Sequence, residues 1–540
     1  MLLLQLVAGL LLLLAVTGIA IRLLHPLPPL EPRAHSARLA GTGDTPLGRG
    51  IAAARAAHPG LSGVHLLGDG RDAFAARILL ARAAVHSLDV QYYIWHGDLS
   101  GTLMLEAMHE AADRGVRVRM LLDDNGIAGL DPALAALDLH PNVEIRLFNP
   151  FVLRRPKMLG YLADFPRLNR RMHNKSFVAD GQAAIIGGRN IGDEYFGARE
   201  DGLFFDLDVL TVGPVVEDVA RDFDRYWQSR SAYPAWRILP PVPEEELAAL
   251  SRRASVVESD PAARSYMDAI RALPFIEQVL TNSLPFEWAA IAMVSDDPAK
   301  GVGEAANDGL LMAGLRAAIG RPERELRLMS GYFVPTGAGV DAFSALAESG
   351  VDVAIFTNAF EATDVWMVHA GYAERRKALL RAGVRLFEMR GPDRAERPRR
   401  KLIGAGSGGS GSGAGSGPGG SGATGHVLRS SATTLHAKTF AADRRRLFVG
   451  SFNFDPRSIH LNTELGFVIE SPRLATEASL KFETEVPERA YEVVLGPDGE
   501  LNWLERREGG TITHRKEPGT SVWQRAGIRI LSHLPIEWLL

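Results

Sequence analysis

One pattern of polar residues occurs twice in this chain of 540 residues, and no other feature limits its fold as much. The first copy, RMHNKSFVADGQAAIIGGRNIGDEYF (Arg171–Phe196), carries a histidine, a lysine two residues on and an aspartate five beyond that. The second, LHAKTFAADRRRLFVGSFNFDPRS (Leu435–Ser458), repeats those intervals. In both, an asparagine follows the histidine by seventeen residues: His173 to Asn190 and His436 to Asn453. Two long copies mean a duplicated domain, not a solenoid of short units.

The flanking sequence agrees. SLDVQYYIWH has the pattern of a strand, GTLMLEAMHEAADRG of a helix ending at glycine, and VRVRMLLDD of the next strand. The order returns in RLMSGYFV, DAFSALAESG and VDVAIFTN. Strand–helix–strand units of this kind build mostly parallel sheets covered by helices, so the expected class is α/β. The expected organisation is a membrane segment over 1–24, a connector over 25–60 and a first lobe over 61–250. An inter-lobe segment follows over 251–290, then a second lobe over 291–490 and a tail over 491–540. The Gly/Ser run at 404–425 cannot bury apolar surface and is expected to be a mobile loop.

The opening run MLLLQLVAGLLLLLAVTGIAIRLL is interrupted only by Gln5 and Thr17 before Arg22. About 20 such residues suffice to span a bilayer. The run lacks the basic start and short apolar core of a signal peptide, which favours a retained anchor. The absence of cysteine excludes disulfides, thiolate metal sites and cysteine nucleophiles. The formal charge of -4 offers no global attraction to nucleic acid.

Residues i and i+2 of a strand face the same way. His173 and Lys175 should therefore project together, as should His436 and Lys438. If the halves pack about a pseudo-twofold axis, both pairs meet in one cleft, and the combined groups suit a phosphodiester. Lys175, Lys438, Asn190 and Asn453 would bind its oxygens and stabilise charge in the transition state. One histidine would attack phosphorus while the other gives and takes the proton. The lysines supply the positive charge, so no metal or cofactor is expected. Each imidazole needs an acceptor to fix its tautomer. Glu464 in the second half and Asp206 in the first are the candidates, with Asp201 and Asp208 as rivals to Asp206. Asp180 and Asp443 complete the two motifs and are counted with the catalytic set. Their position nevertheless suits shaping the hairpin turn better than touching substrate.

His173, Lys175, Asp180 and Gly188-Arg189-Asn190 resemble the first HKD motif of the phospholipase D superfamily. His436, Lys438, Asp443 and Gly450-Ser451-Phe452-Asn453 resemble the second. The resemblance spans roughly residues 60 to 490. It implies a duplicated α/β/α sandwich of two pseudo-twofold-related lobes, one shared site and a phosphohistidine intermediate formed without metal. HNKSFVADG, GGRNIGDEYFGA, GSFNFDPRSIHLNTELGFVIES and LPIEWLL are similar to segments of bacterial cardiolipin synthases of the C-type. That likeness implies transfer of a phosphatidyl group to phosphatidylglycerol, with phosphatidylethanolamine as donor, at a cell inner membrane. It also implies His173 as nucleophile and His436 as acid/base, and leaves room for an accessory protein. Hydrolysis to phosphatidic acid is the alternative, and a nuclease a weaker one.

Three further stretches invite a function. The segment with Arg154, Arg155, Lys157, Arg167, Arg170 and Arg171, interleaved with Tyr161 and Phe165, suits either anionic headgroups or a solvated loop. RPRRK (Arg397–Lys401) suits a solvated basic run, and the apolar tail GIRILSHLPIEWLL either a membrane interface or a docking contact. LLDDNG (Leu121–Gly126) has two carboxylates but no third ligand cluster nearby, so it is expected to form a strand-end turn.

Overall fold

In the computed structural model, which describes residues 1–198, 204–281, 283–363, 365–391 and 434–532, the duplicated pattern becomes a duplicated sheet. Asp201, the basic run at 397–401, the Gly/Ser run and the final segment 533–540 lie outside the described residues. The first half contributes β1 (Ser62–Leu67), β2 (Ser87–Ile94), β3 (Arg117–Gly126), β4 (Val143–Phe148), β5 (Ser176–Ala179) and β6 (Ala183–Gly187). It continues with the short β7 (Phe204–Phe205), β8 (Asp208–Val212) and β9 (Ala232–Pro234). The second half has β10 (Glu287–Ser295), β11 (Glu325–Ser330), β12 (Asp352–Asn358), β13 (Arg385–Met389), the short β14 (Thr434–Leu435) and β15 (Lys438–Ala442). It ends with β16 (Arg446–Gly450), β17 (Leu465–Glu470), β18 (Ala490–Leu495), β19 (Leu501–Arg507) and β20 (Gly510–His514).

Counted outward from the middle of the sheet, the first lobe runs β1-β8-β6-β5-β2-β3-β4-β9. The second runs β10-β17-β16-β15-β11-β12-β13-β18, the same order. β2, β3 and β4 are parallel, as are β11, β12 and β13. At the seam β1 meets β10 antiparallel, Ser62 opposite Ala289 and Val64 opposite Glu287. An antiparallel seam imposes a local twofold, and the equal strand orders extend it over both lobes.

The helices start where the sequence offers caps. Asp98 accepts the Gly101 amide at the head of helix Leu99–Asp113, and Thr336 accepts that of Gly339 in the equivalent helix Gly337–Glu348. These helices cover the outer face, whose cores hold Met108, Met120 and Ile145 in one lobe and Phe343, Leu328 and Ile355 in the other. The inner face is covered beside the seam by helices Val215–Trp227 and Pro472–Arg489, which bury Val178, Ile186, Val449 and Phe467. Each large side chain so buried contributes about 2 kcal/mol.

Several expected boundaries shift. Tyr266, Ile270 and Phe275, from helices assigned to the inter-lobe segment, pack into the first core, and β10 already starts at Glu287. The tail expected from 491 begins inside β18 and continues as sheet to His514, because β18 pairs with β13 and carries the β19–β20 hairpin. Beyond it, helix Val522–Ser532 docks on the protein through Ile528, which is buried with Phe360 and Ala370. The carboxylates of LLDDNG lie within β3 itself, not in a turn after it.

Candidate active site

Both His-x-Lys segments sit where the chain leaves one lobe to touch the other. β5 begins only at Ser176, and the residues before it pair across the lobes: Met172 bridges Thr463, and the His173 amide donates to the Thr463 carbonyl at 2.9 Å. The second copy mirrors this. β14 pairs with β7, and the His436 amide donates to the Phe205 carbonyl at 2.8 Å. The strand expected to carry each pair therefore starts after the histidine, whose backbone amide donates to the opposite lobe.

The acceptors cross in the same way. His173 Nδ1 lies 2.8 Å from Glu464 of the second lobe, and His436 Nδ1 lies 2.5 Å from Asp206 of the first. Each carboxylate stands between or before strands of its own lobe and reaches the other lobe's imidazole. Asp208, a rival to Asp206, is instead buried against Arg77 at 2.8 Å. With both Nδ1 atoms held, each ring keeps Nε2 for chemistry. The Lys175 ammonium donates to the His173 carbonyl at 2.6 Å, and Lys438 donates to that of His436.

The two half-sites differ in their supports. Glu464 accepts from Ser451 Oγ at 2.5 Å and Ser458 Oγ at 2.9 Å. In the first lobe the residue matching Ser451 is Gly188, and a Cβ there would lie 2.1 Å from Asp206 Oδ1. Asp206 is shorter and sits where that side chain would be. His173 meets the edge of Tyr93 at 5.0 Å, whereas His436 stacks on Phe204 at 5.3 Å and meets Tyr195 edge-on. Ser451 and Ser458 lie inside the quoted motif. Their hydroxyl–carboxylate spacing becomes apparent only once Glu464 is located.

Electrostatics follow these surroundings. Burial, reinforced by Lys175, Lys438 and His436, holds the His173 imidazole well below its ordinary range. Burial and Lys438 lower His436 to about 4, against the pull of Asp206. Glu464 is raised to about 7 by burial, with Lys175 and the two serines opposing. Burial also pushes Asp206 up, but His436 and Lys438 outweigh it and hold the carboxyl below its ordinary value. Burial keeps the Lys175 ammonium well below its usual value, although Glu464 favours the charge. Each histidine feels the other lobe's lysine, which places the four groups in one electrostatic unit.

Asp180 and Asp443 play the same part in each lobe, away from the imidazoles. Each has positive φ, 50° and 55°, at a hairpin turn. Asp180 accepts from the amides of Val85, His86 and Ser87, and Asp443 from those of Glu323, Arg324 and Glu325. They pin the motif hairpin to the start of the neighbouring parallel strand. The Asn190 carboxamide accepts from the Ile94 amide at 3.1 Å and donates to Tyr195 Oη at 2.9 Å. Asn453 Oδ1 is buried without a hydrogen-bond partner among the described residues.

The basic segment before the first motif turns all its charges but that of the exposed Arg155 toward the protein. Arg154 binds Asp124 and Asp131 at 2.5 Å, Lys157 binds Asp124 at 3.0 Å and Arg167 binds Asp164 at 2.5 Å. Arg171 faces Asp123 at 3.4 Å, and Arg170 donates to the Lys300 and His460 carbonyls. The two carboxylates of LLDDNG thus pair with arginine and lysine. Among the described residues, one group has metal-like spacing: His96, Asp98 and Glu194, with ligand atoms within 4.8 Å of one another. Asp98 there also accepts from the Gly101 and Asp193 amides. On the inner face, a cavity of about 330 Å³ is lined by Asp206, Phe205, Met329, Phe356, Ala437 and Phe482, among others.

Two imidazoles crossed between the lobes of a duplicated sheet define a two-lobed enzyme of the phospholipase D type. The sequence profile described as "Cardiolipin synthase, PLD-like domain" matches residues 78–227 and 421–486. "Cardiolipin synthase C" of Escherichia coli is 47% identical over 483 residues, covering 89% of this chain and 97% of that one. A "Cardiolipin synthase" of Staphylococcus aureus is 24% identical over 415 residues, covering 77% and 65%. The crystal structure of phosphatidylserine synthase from Haemophilus influenzae shares the fold, with TM-score 0.50 and 14% identity over 82% of this chain and 92% of that one. The chain belongs to the cardiolipin synthase family of phospholipase D-like enzymes, and its activity is phosphatidyl transfer on phospholipids.

Proposed function

We propose that the chain transfers a phosphatidyl group from phosphatidylethanolamine to a hydroxyl of phosphatidylglycerol, making cardiolipin. The carrying observation is the crossed pair of imidazole–carboxylate contacts, Glu464 to His173 and Asp206 to His436. His173, neutral with its Nδ1–H held by Glu464, attacks phosphorus through Nε2. The P–O bond to the headgroup breaks, and His436 delivers its proton to that oxygen. His436 then takes the proton of the phosphatidylglycerol hydroxyl, whose oxygen attacks phosphorus and releases His173. The choice of His436 as acid rests on Asp206, an ionised neighbour that stabilises imidazolium. A bound phosphodiester adds a negative charge, which raises His436 and restores the charge on Lys175. Lys175, Lys438 and Asn453 bind the phosphate oxygens, and the hydrogen bonds of Asn190 suit it better to positioning. The apolar cavity beside Asp206 suits an acyl chain.

Helix Leu2–Leu24 is read as a single inner-membrane anchor. Its span Leu4–Leu24 has mean hydropathy 2.5 and is only 6% buried. The test is expression in cells lacking their own cardiolipin synthases, with lipid extracts analysed by mass spectrometry. Cardiolipin should return, and His173→Ala or His436→Ala should abolish it. Phosphatidic acid in its place would make the protein a hydrolase.

A further inference from the structure

We propose that residues 157–168, between β4 and the first motif, form an apolar foot that sinks into the bilayer interface and fixes the height of the active site above it. This rests on the reading of Leu2–Leu24 as a membrane anchor.

The foot consists of the turn Lys157–Leu159 and the short helix Gly160–Leu168, kinked at Asp164. The anchor helix packs directly on it. A Cβ at Gly18 would lie 2.4 Å from the Leu162 carbonyl oxygen, so the two backbones touch as small-residue helix contacts in membranes do. Thr17 to Ile21 is the least exposed stretch of the anchor, which places the foot beside its carboxy-terminal half. Around this contact Met158 is 55% exposed, and Leu159, Leu162 and Phe165 are each 39% exposed. Such a cluster, continuous with a bilayer-spanning helix, marks a membrane contact.

Most of the charges that could have held the segment in water point the other way, although Arg155, just before the foot, is exposed. Arg154, Lys157 and Arg167 are each paired with protein carboxylates, leaving apolar side chains outward. Attachment should therefore be mainly apolar and only weakly sensitive to salt, with the exposed cation of Arg155 beside it, unlike a basic patch on anionic lipid. The same pairs tie the foot to the site. Arg154 and Lys157 hold Asp124, and its neighbour Asp123 accepts the amide of Met172, the residue before His173, at 2.8 Å. A lipid headgroup then meets the site at a set depth.

The chain has no cysteine, so single cysteines can be placed at will in the full-length protein. Leu162→Cys and Met158→Cys, labelled with an environment-sensitive nitrobenzoxadiazole dye, would be reconstituted into phosphatidylcholine/phosphatidylglycerol vesicles carrying spin-labelled lipid. Arg230→Cys serves as the distant control and Leu10→Cys as the anchor control. Dye at 158 and 162 should be quenched at least about twofold more by a shallow spin label than dye at 230, in 1 M salt as well. No excess quenching at 158 and 162 overturns the foot, whatever Leu10 reports. Quenching at Leu10 decides the anchor separately. In kinetics, Met158→Asp with Leu162→Asp should lower turnover of vesicle lipid about tenfold and leave monomeric short-chain lipid unaffected. Equal turnover of vesicle lipid by this variant and the parent also overturns the proposal. The quenching arm stands even if no lipid is turned over.

Discussion

The two half-sites occupy equivalent positions in equivalent sheets, yet they hold their histidines differently. In one, a long carboxylate, Glu464, is gripped by two serines and buried enough to titrate at about 7. In the other, a short carboxylate, Asp206, fills the space left by Gly188 and stays ionised beside Lys438. A single change of side chain within the repeated motif, Gly188 against Ser451, decides which arrangement can exist. Duplication thus supplies two identical groups, and small asymmetries around them permit opposite roles, one attacking and one moving a proton.

The sharpest way to break this comparison is to remove each imidazole in turn. With His173 as the proposed nucleophile, His173→Ala should lose about 10⁴-fold or more in phosphatidyl transfer. His436→Ala should lose about 10²–10⁴-fold and regain part of that with a lipid whose leaving group needs no proton. Initial rates on a nitrophenyl-type headgroup check the difference. Equal, unrescued losses would erase the asymmetry.

Next come the supports. Gly188→Ser should cost about 10²-fold, because its Cβ must displace the Asp206 carboxylate from His436. Ser451→Gly, the opposite exchange, should cost about tenfold, the loss of one hydrogen bond to a charged group. It should also shift the pH profile. Glu464 must be ionised to orient the His173 Nδ1–H, so activity should rise with pH along an acid limb centred near 7. Ser451 stabilises the ionised carboxylate, so its loss moves that limb to higher pH. Glu464→Gln should remove the limb altogether at a much lower rate.

The smallest chemical effects should come from Asp180→Ala and Asp443→Ala. Each leaves backbone amides without their acceptor and should cost about 2 kcal/mol of stability, read from denaturant unfolding. Turnover per folded molecule should stay within severalfold of the parent. A selective collapse of turnover in a fully folded variant would return these aspartates to the chemistry.

Much of this was legible in the sequence. The repeated intervals His173–Lys175–Asn190 and His436–Lys438–Asn453 announce duplicated α/β lobes, and Asp206 and Glu464 stand out as carboxylates beside apolar strands. The crossing of those carboxylates between lobes has no local signature, because it depends on the antiparallel seam of β1 with β10. The charges of Arg154 and Lys157 suggest headgroup binding until Asp124, distant in sequence, is found beneath them. The domain boundary at 490 misses because β18 pairs with a strand about a hundred residues earlier in the chain, which periodicity cannot register.

The account turns on one composite site with a single nucleophile. Rapid-quench mass spectrometry of the protein with donor lipid measures this directly, by counting and locating the phosphatidyl adduct. One adduct per chain, on His173, absent from His173→Ala and persistent in His436→Ala, is the expected result. Two adducts per chain, or one on His436, would contradict it.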